Sequence, residues 1–311
     1  MPAPLAFHSP LLAISLKLGA IFVLSVMAAL IKQASEEVPA GEAVFFRSLL
    51  AIPVILVWLY ARGELSHGLR TKNPKGHFYR GILGTIAQGL NFAGLALLPL
   101  PEVTAIGYAA PIFTVILAAI MLGERIRMIR IAAVAIGLVG VTIMIWPRLG
   151  SGNWEDGATL GALFILGSTC TRSVVQIHIR QLAQVEHTAA IVFYFSATAT
   201  LLSLLTIPFG WVVPSPTTLM LLVLAGLLGG VGQILLTSAY RFGAASMLAP
   251  YEYSSMIFAI IIGYVWFSDL PTVVMLCGAA LVMAGNGIVI WRERQLGLQR
   301  TKARAATDPK V

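Results

Sequence analysis

The sequence predicts an all-α membrane protein of ten transmembrane helices, laid out as two inverted five-helix repeats with both termini cytoplasmic. Three observations predict it: apolar runs of about 20 residues, a self-match between the two halves, and basic residues gathered mostly on one side.

The apolar runs come first. Of 311 residues, 58% are hydrophobic and 11% charged, and the mean hydropathy is +0.87. Soluble domains carry about 25% charged residues, so this chain lacks the charge to coat a water-facing surface. Runs suited to crossing roughly 30 Å of hydrocarbon fall at 11–32, 42–62, 79–98, 102–123, 130–147, 157–178, 188–210, 216–239, 244–268 and 271–291. The segments between them are short and rich in Pro, Gly and charge, which fits helical hairpins with almost no extramembrane domain. The runs are continuous rather than alternating, which excludes a β-barrel. The first run contains Lys17 and follows no basic segment, so it reads as a permanent helix and not a signal peptide. Cys170 and Cys277 lie inside apolar runs and read as small buried hydrophobes.

Orientation follows from the basic residues. With a cytoplasmic N-terminus, 16 Lys and Arg face the cytoplasm, among them Arg62, Arg70, Lys72, Lys75, Arg80 and the six beyond Trp291. The opposite side holds only Lys32 and Arg148, and Lys17, Arg47 and Arg172 lie within helices. The positive-inside rule then puts both ends inside. The net charge of +8 is read as a topology signal facing anionic lipid, not as a nucleic-acid surface.

The self-match is ungapped. Displaced by 145 residues, 81–146 aligns with 226–291, pairing Gly81/Gly226, Gly84/Gly229, Gln88/Gln233, Tyr108/Tyr253, Gly140/Gly285 and Trp146/Trp291. Near the start, GAIFVL at 19–24 resembles GALFIL at 161–166. Five helices per copy is an odd number, so the second copy must be upside down, as in secondary transporters that expose one central site to alternate sides. The units are 1–150, 151–295 and a basic cytoplasmic tail, 296–311.

The stretch 78–126, the helix-opening Arg of FFRSLLA at 45–51, the AAPIFT break at 109–114, the LGER loop at 122–125 and LAPYEYSSMIFAIIIGYVWFSD at 248–269 resemble the drug/metabolite transporter superfamily, ten-helix EamA type. The wording of helices 3, 4 and 9 is most similar to the alphaproteobacterial branch of riboflavin importers and S-adenosylmethionine carriers. Many relatives have Glu-Pro in the ninth helix, whereas here Pro250 precedes Glu252 by two residues. The resemblance implies a secondary carrier in the bacterial inner membrane with a small organic substrate. Riboflavin uptake is the specific expectation, amino-acid, S-adenosylmethionine or drug transport the alternative, and an integral-membrane lipid-modifying enzyme or a structural subunit the alternative from another class. It implies no cofactor, no nucleic acid and no enzyme activity, and it accommodates a homodimer.

Candidate site residues are the polar groups stranded in these runs. Glu252 lies about 12 Å into the predicted ninth helix at 1.5 Å per residue, where a carboxylate marks a substrate or coupling site or a structural pair with Arg172 or Lys17. Pro250 should loosen the helix there. Tyr251 and Tyr253 flank Glu252, and Tyr108, the repeat mate of Tyr253, should meet it near the pseudo-twofold axis. With Phe92, Phe113, Tyr194 and Trp58 they would line a path for a planar ligand. Gln88, its mate Gln233, and Asn91 on the face of Gln88 fit either substrate binding or helix stapling. Arg172 is the expected partner of Glu252 or of an anionic substrate group, and Arg47 is expected to snorkel or pair internally. Lys17 and His178 are expected near the cytoplasmic end, outside the site. No GxxxxGK[ST] or HExxH motif is present, and the histidines at 8, 67, 77, 178 and 187 are too scattered for a lipid-modifying centre.

Overall fold

The computed structural model describes residues 10–110, 112–114, 116–117, 128–149, 157–182, 186–242, 248–288 and 291. The LGER loop, Pro111 and the tail from 292 onward lie outside them. The described residues form α1 (Pro10–Ala34), α2 (Ala40–Ala61), α3 (Pro74–Leu97), α4 (Leu100–Gly107), α5 (Met128–Leu149), α6 (Ala158–Leu182), α7 (Thr188–Ser203), α8 (Pro216–Phe242), α9 (Ser254–Phe267) and α10 (Val273–Ile288). Five are both long and apolar enough to cross a bilayer alone, within α1, α2, α6, α7 with its extension, and α8. The protein is a multi-pass membrane protein.

Local chemistry explains where the boundaries differ from expectation. α3 begins five residues earlier than its apolar run, because Asn73 caps it by accepting from the Gly76 N–H at 2.9 Å and Pro74 occupies its first position. Arg80, expected in a cytoplasmic segment, is therefore inside α3 and only 8% exposed. α7 ends at Ser203 and tightens into a 3-10 turn over Leu204–Phe209, which contains Pro208. The ninth run is divided in the same way. A 3-10 turn over Ala249–Tyr253 precedes α9, so Glu252 sits in that turn and not eight residues inside a regular helix. The first copy breaks at the equivalent place, with turn conformation at Tyr108 and Ala109.

The packing has twofold character. α1 lies against α8 and α6 against α3; α2 packs on α8 and α7 on α3. Each pair exchanges with the other when repeat mates are swapped. At the α5–α10 crossing a Cβ on Gly140 would lie 2.6 Å from the Gly278 carbonyl, and one on Gly285 would lie 2.7 Å from that of Ala133. Gly140/Gly285 and Ala133/Gly278 are mates at the 145-residue displacement, so the crossing repeats itself about the axis. Backbones approach this closely only where side chains are small.

The outer faces are apolar, as lipid requires: Val213, Leu11, Phe209 and Tyr60 are among the most exposed residues. Cys277 is exposed, which corrects the expectation of burial. In a bilayer an apolar run serves the lipid face as readily as the core.

Candidate functional site

The helix breaks bring polar groups together between the two copies. Tyr108 Oη donates to the carbonyl of Tyr253 at 3.1 Å and lies 2.8 Å from Ser255 Oγ. The two rings meet edge to face, with centroids 5.2 Å apart. Asn286 of α10 donates from Nδ2 to the Tyr108 carbonyl at 2.9 Å, and its side chain also hydrogen-bonds the Tyr253 hydroxyl. Broken helices leave carbonyls without intrahelical donors, and these side chains supply them. The expected meeting of the two tyrosines is what the structure contains.

Glu252 projects from the same turn, and Lys17 of α1 forms an ion pair with Glu252 Oε2. The lysine side chain is 1% exposed and the carboxylate 55%. Of the two partners expected for a structural pair with Glu252, Arg172 and Lys17, Lys17 is the one bonded to it, although its position near the expected cytoplasmic end had set it outside the site. Arg172 of α6 is close enough to Glu252 to interact electrostatically. Arg172 itself is exposed. Glu252 thus has a bonded lysine and a more distant arginine.

The remaining expected residues divide. Tyr251 is half-buried beside Glu252. Gln88 is half-buried with Nε2 lacking an acceptor among the described residues, and Asn91 and Gln233 are half-buried. Phe92 is in the core with Tyr108, and Phe113 packs against that core. Tyr194 and Trp58 are not with them. Tyr194 donates to the Leu69 carbonyl at 3.1 Å, and Trp58 stacks under Arg62 with 5.0 Å from guanidinium carbon to ring. Both belong to the end of the bundle that holds the α2–α3 connection.

That end and the opposite one are each tied by a carboxylate. Glu186, before α7, accepts through Oε1 from the N–H of Lys72 at 2.7 Å, the N–H of Asn73 at 2.8 Å and the Thr71 hydroxyl at 3.1 Å. Its other oxygen lies 3.4 Å from His77 Nε2. Burial pushes this carboxyl up, but the four donors together outweigh it and hold it below the ordinary range. At the far end Glu37 accepts from the Ser215 N–H and hydroxyl and from Thr218, which lowers its carboxyl too, chiefly through Thr218.

Arg47 does not snorkel. It is 3% exposed, with its guanidinium carbon 5.7 Å from the Phe195 ring centroid, and Arg80 approaches the same ring at 4.2 Å. Sequence reading missed this pair, because a helical period gives the face of a residue and not its neighbour.

Polar groups thus gather where two copies of one helical unit meet, and known membrane transporters match the chain over both copies. A known crystal structure superposes with a TM-score of 0.63 at 23% identity, covering 91% of this chain and 98% of its own, which supports the fold. The pseudopaline exporter of Pseudomonas aeruginosa is 32% identical over 85% of this chain and 90% of its own length. The riboflavin transporter of Rhizobium johnstonii is 28% identical over 82% of each. The S-adenosylmethionine uptake transporter of Rickettsia prowazekii is 26% identical over 82% of this chain and 84% of its own. Each is a transporter by name and none an enzyme. The EamA-like transporter family model matches twice, over residues 11–146 and again over 159–291, and with both copies accounted for, this chain belongs to the EamA-like transporter family and is a membrane transporter rather than an enzyme.

Proposed function

We propose that the protein is a secondary carrier of the bacterial inner membrane, moving a small organic metabolite by alternating access around the polar centre between its two copies. The observation that carries this reading is the contact of the repeat mates Tyr108 and Tyr253 beside Glu252 and Lys17. Inverted copies related by an axis through a shared site can exchange conformations and so open that site to one side and then the other. The half-exposed carboxylate, the half-buried Tyr253 and the exposed Arg172 provide charge, hydrogen bonding and apolar surface. Riboflavin is the specific candidate, on the similarity to a riboflavin transporter. Export of a metabolite is the second reading, favoured by the 32% identity to the pseudopaline exporter.

In this reading both termini and the α2–α3 connection face the cytoplasm, where the basic residues gather. The functional units are 1–150 and 151–295, with 296–311 as a basic tail. Gln88, Asn91, Gln233 and Tyr251 join Glu252, Tyr108, Tyr253 and Arg172 as substrate-facing groups. The test is uptake of labelled riboflavin, S-adenosylmethionine and amino acids into proteoliposomes, with and without a pH gradient, for wild type and Glu252→Gln. One solute should accumulate in wild-type vesicles and at least about tenfold more slowly with the variant. Equal rates for the two proteins would remove Glu252 from the site, and no uptake of any solute, in either orientation of gradient, would sink the carrier.

A further inference from the structure

We infer that Arg47 and Arg80, both set against the Phe195 ring, form a seat for an oxoanion, a carboxylate or phosphate group carried by the transported solute. The inference rests on the carrier reading for its occupant and on geometry for the site. Both side chains are more than nine-tenths buried. Both lie against one ring, at 5.7 and 4.2 Å, near enough to feel each other's charge. Nε and Nη1 of both have no acceptor among the described residues, and the ion pairs found there involve neither. The ring faces stabilise the cations, but a guanidinium presents its N–H groups at its edge, and the ring cannot accept those.

Two like charges held together in a low-dielectric slab are costly unless an opposite charge bridges them. The surroundings specify what that bridge is. Along one face of α3, at successive i+4 positions, stand Arg80, Gly84 and Gln88. Gly84 lets Phe195 approach, since a Cβ there would lie 2.7 Å from its ring. Gln88 Nε2 is also without an acceptor. All these orphaned groups are N–H donors. Two forked guanidiniums whose Nε and Nη1 are unpaired among the described residues match an anion with several acceptor oxygens.

The place also suits a carrier. A Cβ on Gly229 would lie 3.1 Å from Arg47 Nε, so Arg47 covers Gly229 as Phe195 covers Gly84, and those glycines are repeat mates. Arg47 and Phe195 thus each cover one of a pair of mate glycines, and they touch across the two copies. An anion there would bridge α2 and α3 of one copy beside α7 of the other, and its departure would release that contact.

The test uses full-length protein in phosphatidylcholine nanodiscs, titrated with sodium acetate, sodium phosphate or sodium chloride while thermal unfolding is followed. Acetate or phosphate should raise the midpoint saturably, with an apparent Kd at least about tenfold weaker for Arg47→Gln and for Arg80→Gln. Arg62→Gln, at an exposed position, should bind as wild type does. A linear effect shared by all three salts overturns the site, and so does saturable binding that both variants keep. Loss of the shift when the discs contain phosphatidylglycerol assigns the seat to lipid headgroups and overturns its solute role. Should the variants fail to fold, wild type alone decides. Acetate or phosphate should slow phenylglyoxal modification of Arg47 and Arg80 but not of Arg62, and unchanged rates overturn the proposal. Anion binding without any solute uptake would leave this site standing and the carrier reading fallen; uptake without anion binding does the reverse.

Discussion

Glu186 and Asn73 are 113 residues apart in the chain, yet the Asn73 N–H donates to Glu186 Oε1 at 2.8 Å, fastening the start of α3 to the entry of α7. The carboxylate gathers three donors from residues 71–73 and is 1% exposed although it sits at the rim of the bundle. Glu186→Ala should therefore lower unfolding stability by about 1–3 kcal/mol, since two backbone N–H groups lose a charged acceptor. Thermal unfolding in detergent checks it, and a change below about 0.5 kcal/mol would mean that water replaces the carboxylate without cost.

The same tie sets a pH dependence. The folded-state carboxyl titrates below its ordinary 4.5, so the unfolded chain takes up its proton first on acidification. The stability it contributes is complete above pH 4.5 and drains as pH falls through the lower, folded-state value. The difference in midpoint between wild type and Glu186→Gln should be constant at neutral pH and shrink below pH 4.5. A gap that widens on acidification would reverse the assigned sign.

At the polar centre, Lys17 and Glu252 should be energetically coupled. The pair is buried on one side and open on the other, so solvent screens part of the attraction. A double-mutant cycle with Lys17→Met and Glu252→Gln should give about 1 kcal/mol of coupling. Tyr108→Phe should cost a similar amount, about 1 kcal/mol, because it removes the hydroxyl that bonds the Tyr253 carbonyl and Ser255. Coupling near zero would demote the ion pair to a surface contact.

Much of this was legible in the residues. The 145-residue self-match specified that Tyr108 and Tyr253 are equivalent, and their expected meeting between the copies is present. Pro250 marked the break before α9. What was not legible depends on helix rotation and on partners far along the chain. Lys17 was one of two partners the sequence offered Glu252, and its distance along α1 could not decide between them, since it says nothing of the turn at Ala249–Tyr253 that meets it. Arg47 looked like a snorkelling residue, since no sequence pattern reports that Gly229 leaves it room. The α3 start was readable in hindsight, because Asn73 before Pro74 is a cap and first-position pair, but the charges at Lys75 and Arg80 made the segment look like loop.

The glycines give the sharpest test of the paired architecture. At the α5–α10 crossing, a Cβ on Gly140 or on Gly278 would each meet the other's backbone carbonyl at 2.6 Å, and one on Gly285 would meet that of Ala133 at 2.7 Å. Backbone cannot rotate out of the way as a side chain can, so the helices must part. Gly140→Ala, Gly278→Ala and Gly285→Ala should each destabilise by about 1–3 kcal/mol. Gly140 and Gly285 should lose comparable amounts, because they are the same position in two copies. Gly89 lies in α3 with nothing within 4 Å of a built Cβ, so Gly89→Ala should be neutral or stabilising by about 0.4–1 kcal/mol through the unfolded chain. Chemical or thermal unfolding of the four variants under one condition makes the comparison. If Gly140→Ala is tolerated while Gly285→Ala is not, the two copies do not share the crossing, and the exchange of conformations that alternating access requires loses its structural basis.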